Sequence, residues 1–202
     1  MFTRPAAGRG TGMDEDEDRR RFERLVLPHL DAAYNLARWL TRNDHDAEDV
    51  VQEAMMRALR YMASCRGDDA KAWLLQIVRN ACFTWLKDNR PAERLFLDDE
   101  DGESLNEIAA PAVDEPHAVA ARNGERRLIN DAIAALPAAY RDVLVLREIE
   151  DLPYGDIARI AGIPIGTVMS RLARARGLLR QMLYPAGAPA LRVVAGRKKA
   201  GS

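Results

Sequence analysis

Residues 154–180 read YGDIARIAGIPIGTVMSRLARARGLLR, and this stretch decides the fold. YGDIARIA predicts a short helix, and Gly162-Ile163-Pro164 predicts a tight turn. A second helix is expected from about Ile165, carrying Arg171, Arg174, Arg176 and Arg180. Only glycine leaves a helix through a left-handed conformation without steric cost, which suits Gly162. Ala158 is small where two helices would cross. Ile157, Ala161, Ile163 and Val168 have the spacing to fill the core between them. This is the layout of a helix-turn-helix, whose second helix lies against a nucleic-acid duplex with its N-terminal residues toward base edges. Thr167 and Ser170 stand at that end. From Ile163 onward the chain holds eight Lys or Arg and no Asp or Glu. A solvated helix normally mixes both signs, so the bias points to a polyanion partner.

Working outward, the charge is distributed unevenly. The net charge of −1 conceals ten acids against two bases over residues 91–125, and thirteen bases against six acids over residues 126–202. Residues 91–124 also hold Pro91, Pro111 and Pro116 and lack sustained amphipathic period, apart from a short helical piece expected near Ser104 to Ile108. They predict an acidic flexible linker. The expected class is therefore all-α: two small helical domains, residues 21–90 and 125–184, flanked by a disordered leader at 1–20 and a flexible basic tail at 185–202. Each domain is near the lower size limit for an independent core.

The first domain shows three helical runs. Phe22 to Leu40 repeats apolar residues at helical spacing, with Pro28 marking an irregular start. The next run, AEDVVQEAMMRALRYM, predicts Asp46 as its N-cap, with Val50, Ala54, Met55, Ala58, Leu59 and Met62 facing inward. After a turn at SCRGDD, the third run is AKAWLLQIVRNACFTWLKDNR, ending at Pro91. In the second domain ERRLINDAIAAL comes first, and Pro137 opens AAYRDVLVLREIE.

Two features of the first domain admit more than one reading. Asp46, Glu48, Asp49, Gln52 and Glu53 form an acidic face that serves either as a solvated surface or as a protein-docking surface. Trp73, Phe83 and Trp85 lie among Arg66, Lys71, Arg79, Asn80, Lys87 and Arg90. They are either core residues at helical spacing or stacking platforms for unpaired bases. His29, His45 and His117 are isolated, and no nucleotide-binding glycine motif or nucleophile–base set is present. No catalytic residue, metal site or cofactor is therefore assigned, and no enzyme activity is expected. Cys65 and Cys82 make no CxxC, consistent with two buried thiols in a reducing cytoplasm. No apolar run approaches the ~20 residues of a membrane span, so no membrane insertion is expected.

Three segments together resemble the extracytoplasmic-function (ECF) sigma factors of bacteria. They are DAEDVVQEAMMRALR, CRGDDAKAWLLQIVRNACFTWLKDNR and LPAAYRDVLVLREIEDLPYGDIARIAGIPIGTVMSRLARARGLLR. The resemblance covers about Phe22 to Arg90 and Glu125 to Leu183. It implies a promoter-specificity subunit of RNA polymerase, active in transcription initiation and in stress responses. Residues 21–90 would be region 2, docking on the clamp of the largest polymerase subunit through Asp46, Glu48, Asp49, Gln52 and Glu53. The same module would melt and capture the −10 element as single strand, through Arg66, Gly67, Asp68 and Asp69, then Lys71, Trp73, Arg79, Asn80 and Trp85. Residues 125–184 would be region 4, meeting the polymerase flap and reading the −35 duplex through Gly166, Thr167, Met169, Ser170, Arg171, Arg174 and Arg176. The linker would run toward the RNA exit path, and an anti-sigma factor would hold the chain inactive. Met169 departs from the family, whose members usually place Lys or Arg there; a methionine would instead pack on a thymine methyl. The alternative function is a helix-turn-helix regulator that binds duplex DNA without joining polymerase.

Overall fold

A computed structural model describes residues 12–90 and 121–184. The expected linker with its short helical piece, the basic tail and residues 1–11 lie outside the described residues. Every regular element among the described residues is helical.

The first module is built on α2 (Leu30–Thr41), α3 (Asp44–Arg60) and α4 (Ala70–Asn89), with α1 (Gly12–Leu25) laid alongside. Alanines at 33, 37, 47, 54, 58, 72 and 81 are buried where the helices face one another. Small side chains allow short interaxial distances, and Leu36, Leu40, Val50, Leu74, Leu75, Val78 and Leu86 fill the volume between them. Pro28 sits in a 3-10 turn, Leu27–His29, that precedes α2 as its position predicts. Arg42, in the left-handed region (φ 59), ends α2.

Three expectations are corrected. The leader is not unstructured throughout, because α1 starts at Gly12. Asp16 pairs with Arg19 at 3.4 Å and with Arg20 one turn on, and Arg19 lies 3.9 Å from Glu23, which favours a helix. Phe22 and Leu25 fix its end to the core, and Arg21 donates to the Cys65 carbonyl at 2.7 Å. The N-cap of α3 is Asn43 rather than Asp46; its side-chain oxygen accepts from the backbone N–H groups of His45 (2.9 Å) and Asp46 (3.1 Å). Val51 joins Ala47, Val50, Ala54 and Ala58 on the buried stripe of α3, while Leu59 faces solvent.

The second module comprises α5 (Ala121–Ala135), α6 (Ala138–Leu144), α7 (Tyr154–Ala161) and α8 (Ile165–Leu183). Pro137 caps α6, where its missing N–H costs nothing. After Leu144 the chain widens into a π-turn, Val145–Ile149, closed by the Glu150 amide on the Val145 carbonyl at 3.1 Å. Asp151 (φ 52) then redirects the chain into α7. Leu136, Tyr140, Leu144 and Ala175 form one small core with Ile133, Leu178, Leu179 and Met182. Gly162 (φ 67) makes the expected left-handed turn, and the Ile163 amide closes it on the Ala158 carbonyl at 3.1 Å.

The two modules pack together. Val143, Val145, Leu146, Leu152, Ile157, Ile160, Val168 and Leu172 belong to the same apolar cluster as the core of the first module. Helix α4 is the hinge of this arrangement, contacting α2 and α3 on one side and α7 on the other.

Two substitutions test the local logic. A Cβ on Gly162 would meet nothing within 4 Å, so Gly162→Ala should cost only the left-handed strain, about 1 kcal/mol in urea unfolding. Asn43→Ala should cost about 1 kcal/mol by losing the cap, with His45→Ala as the neutral control.

Candidate nucleic-acid interface

The N-terminal half of α8 stands out from the module. Val168, Leu172 and Ala175 point into the core and fix the helix's rotation. That leaves Gly166, Met169, Ser170, Arg174 and Arg176 exposed, with Thr167 and Arg171 half-buried at the edges. Ser170 donates to the Thr167 carbonyl at 3.1 Å. No acid lies in the first turn, and the unsatisfied N–H groups and positive dipole end of a helix suit a phosphate. Ile165 and Met169, one turn apart, are 50% and 55% exposed, adding an apolar strip to a basic helix. Arg176 bonds Glu148 at 2.6 Å, and this hydrogen bond holds its guanidinium above the usual arginine range.

The residues expected to take a single strand do not form one open surface. Gly67–Asp69 is a 3-10 turn leading into α4, and Arg66 and Gly67 are exposed there. Asp68 belongs to that turn, but its side chain lies outside what is described. Trp73 is half-buried, its indole N–H donating to Ser64 Oγ at 3.2 Å. Asn80, seven residues on and therefore on the same side of α4, is exposed. Trp85 is half-buried against the core, with the Arg90 guanidinium 5.6 Å from its ring. Both tryptophans thus serve the core and also keep an accessible edge.

The other three residues face the second module. Asp69 takes a two-pronged contact from Arg159, at 2.6 and 3.0 Å, and those hydrogen bonds hold its carboxyl below the usual aspartate range. Lys71 Nζ lies 3.0 Å from a Glu150 carboxylate oxygen and donates to the Glu150 carbonyl at 2.9 Å. Arg79 bonds Asp142 at 2.6 Å and lies over the Phe83 ring at 4.1 Å. Nothing local in the sequence marks these pairs, whose members are 63 to 90 residues apart.

The acidic face is more varied than its sequence implies. Glu48, Asp49, Gln52 and Glu53 line the exposed side of α3, with Asp46 half-buried at its start. Glu53 pairs with Arg57. Beyond that pair lie Met56, Leu59 and Tyr61, at 61%, 44% and 51% exposure. Sequence reasoning missed them. The signal was Met56 itself, an apolar residue three or four positions from Gln52, Glu53 and Arg60 and hence on the polar side of α3. Charged residues bordering exposed apolar ones fit a protein–protein interface better than a solvated surface.

Other chemistry finds little support. Burial pushes the thiols of Cys65 and Cys82 upward, away from reactivity. Among the described residues, no group of three or more His, Cys, Asp or Glu could hold a metal ion. None of their helices is long and apolar enough to cross a membrane.

With these surfaces placed, comparison with known proteins gives the class first. Residues 25–91 match the family model of sigma-70 region 2, and residues 126–179 match that of sigma-70 region 4. The chain is 35% identical to the ECF RNA polymerase sigma-E factor of Haemophilus influenzae, covering 83% of this chain and 90% of that protein. It is 33% identical to the RNA polymerase sigma-H factor of Pseudomonas aeruginosa, covering 83% and 89%. Among solved structures, the sigma factor RpoE of Bartonella quintana, crystallised with the anti-sigma factor NepR, superposes with a TM-score of 0.61 at 28% identity. That match covers 81% of this chain and 97% of RpoE. CnrH, in complex with the cytosolic domain of CnrY, gives 0.57 at 25% identity, covering 85% and 93%. The chain belongs to the ECF sigma factors of the sigma-70 family, the non-enzymatic factors that direct RNA polymerase to promoters in transcription initiation.

Proposed function

We propose that this chain docks on core RNA polymerase through the α3 face, captures a −10 strand with the turn before α4 and with α4 itself, and reads a −35 duplex with α8. The observation that carries this reading is the coexistence, in one chain, of a charged-apolar docking face on one helical module and a basic recognition helix on the other. A duplex-binding regulator needs the second of these and has no use for the first.

Each surface then has a task. Asp46, Glu48, Asp49, Gln52 and Glu53 supply charge complementarity to the polymerase clamp, and Met56, Leu59 and Tyr61 supply buried area. Arg66, Gly67, Asp68 and Asp69, with Lys71 and Arg79, track the strand. Trp73, Asn80 and Trp85 offer stacking edges and hydrogen bonds to unpaired bases. On α8, Arg174 and Arg176 position the duplex through phosphates, while Gly166, Thr167, Met169, Ser170 and Arg171 lie at base edges. Met169 meets a thymine methyl rather than a purine acceptor. Neither module alone need bind DNA tightly. On polymerase the two elements are addressed together, and effective concentration raises the joint affinity. The RpoE structure with NepR supports an anti-sigma partner for this chain as well.

In vitro transcription with purified core polymerase tests the reading. Core plus this protein should give defined transcript starts on genomic DNA; a duplex-binding regulator gives none. An Asp49→Ala, Glu53→Ala double variant should lose co-purification with core at unchanged helicity, and retention at the wild-type level refutes the docking assignment. Arg171→Ala should cost about 1–3 kcal/mol and relax preference at one −35 position. Arg174→Ala should weaken all sequences alike and reduce the salt slope by about 1.

A further inference from the structure

The outward face of α8 carries two different rows of side chains. Gly166, Ser170 and Arg174, four residues apart, are exposed and end on a base. Beside them Ile165, Met169 and Ala173 keep the same spacing, are also exposed, and carry no charge and no hydrogen-bond donor. Ile165 and Met169 are 50% and 55% exposed, and neither belongs to the two apolar clusters found among the described residues. Large apolar side chains held in water gain by meeting an apolar group of a partner. In the major groove of a duplex that group is the C5 methyl of a pyrimidine. We propose that Ile165 and Met169 read pyrimidine C5 methyls in the −35 element, accepting thymine and 5-methylcytosine alike, so that cytosine methylation there raises the promoter's affinity for this protein. This rests on the proposed role of α8; it adds Ile165 as a specificity-determining residue and makes the methyl, rather than the base, the ligand.

Spacing and chemistry both favour methyl contacts. Four residues of α-helix rise about 6 Å, and base pairs follow one another at about 3.4 Å, so the two side chains reach methyls within two base-pair steps. Beside its methyl, thymine presents the O4 acceptor and 5-methylcytosine the N4 donor. A polar side chain would tell these apart, because it satisfies one and leaves the other unpaired. Isoleucine and methionine bond neither and gain only from the methyl. Ile165 is β-branched and opens α8, so its contact is stiff, whereas the flexible thioether chain of Met169 adapts to its neighbour.

Gly166 permits the approach. A Cβ on it would meet nothing within 4 Å, and its backbone is not left-handed, so no contact inside the chain calls for glycine at this position. Its bare backbone, next to Ile165, lets a groove edge come close to the start of the helix.

Modified promoters test the proposal, using holoenzyme assembled from core polymerase and the full-length chain on a promoter defined by its mapped start. Each −35 thymine is replaced in turn by deoxyuridine, which lacks only the methyl. Losing a buried methyl should lower affinity about fourfold, at positions no more than two steps apart. A cytosine placed at those positions should bind about fourfold tighter once methylated at C5. Ile165→Ala and Met169→Ala should each erase the methyl effect at one position. Arg174→Ala should weaken binding to every template and leave the methyl effect in place. Both apolar variants change exposed side chains, and Met169→Gln keeps the chain length should Met169→Ala lose helicity by circular dichroism. Equal affinity with and without methyls at every position, a thymine effect with no gain on 5-methylcytosine, or a methyl effect that survives both apolar variants would each overturn the proposal. A protein that starts transcription at defined sites but ignores methyls keeps the proposed function and loses this inference. Should it start none, the duplex that the full-length chain selects from random-sequence DNA takes the promoter's place, and the same comparisons decide.

Discussion

Helix α4 must be covered on two sides, and the rest of the structure depends on that constraint. Its buried residues, from Ala70 to Leu86, spread too widely around the helix for α2 and α3 to shield alone. On its remaining side, Lys71 meets the segment before α7, Gln76 meets α7 and Arg79 meets α6. The helix that completes the first module's core is thus also the platform on which the second module rests. A small three-helix unit buries a limited fraction of its surface, and the α7 contact extends its core.

The same economy explains why hydrophobic and electrostatic terms are mixed at this junction. An interface made only of apolar residues would close for good, and one made only of exposed ion pairs would contribute little, since such pairs are worth at most about 1 kcal/mol each. Here the Arg159–Asp69 pair lies in solvent, whereas Arg79–Asp142 is nearly dry. The exposed pair guides approach and is screened by salt. The buried one fixes register, because a shift would leave a charge unpaired.

Much of this was legible in the sequence. The helix-turn-helix could be read residue by residue, because its turn requires a left-handed residue at Gly162 and its core requires the spacing found at Ile157, Ala161 and Val168. Helices α3 and α4 followed from apolar period, and the acidic stripe on α3 was placed correctly from Glu48 to Glu53. The failures were local competitions and distant pairings. Asn43 outcompeted Asp46 as cap because its side chain reaches two backbone amides. Val51 is buried one turn after Ala47, and Leu59 lies off that stripe in solvent. The leading run of acids and arginines looked like a solvated leader, yet it pairs along a helix that ends on core contacts at Phe22 and Leu25. The partners of Lys71 and Arg79 were invisible because nothing local in the sequence links them to Glu150 and Asp142; only the tertiary arrangement brings them together.

The π-turn at Val145–Ile149 has a consequence for how such a protein can diverge. Widening one turn by a residue changes angular phase rather than length. In this protein the phase sets Glu148 against Arg176 of the recognition helix and Glu150 against Lys71 of the other module. One short segment therefore works as a cam with two followers, one bearing on Arg176 and the other on Lys71. Gain or loss of a single residue in it turns both followers together, so a basic side chain of each module is geared to one point in the chain.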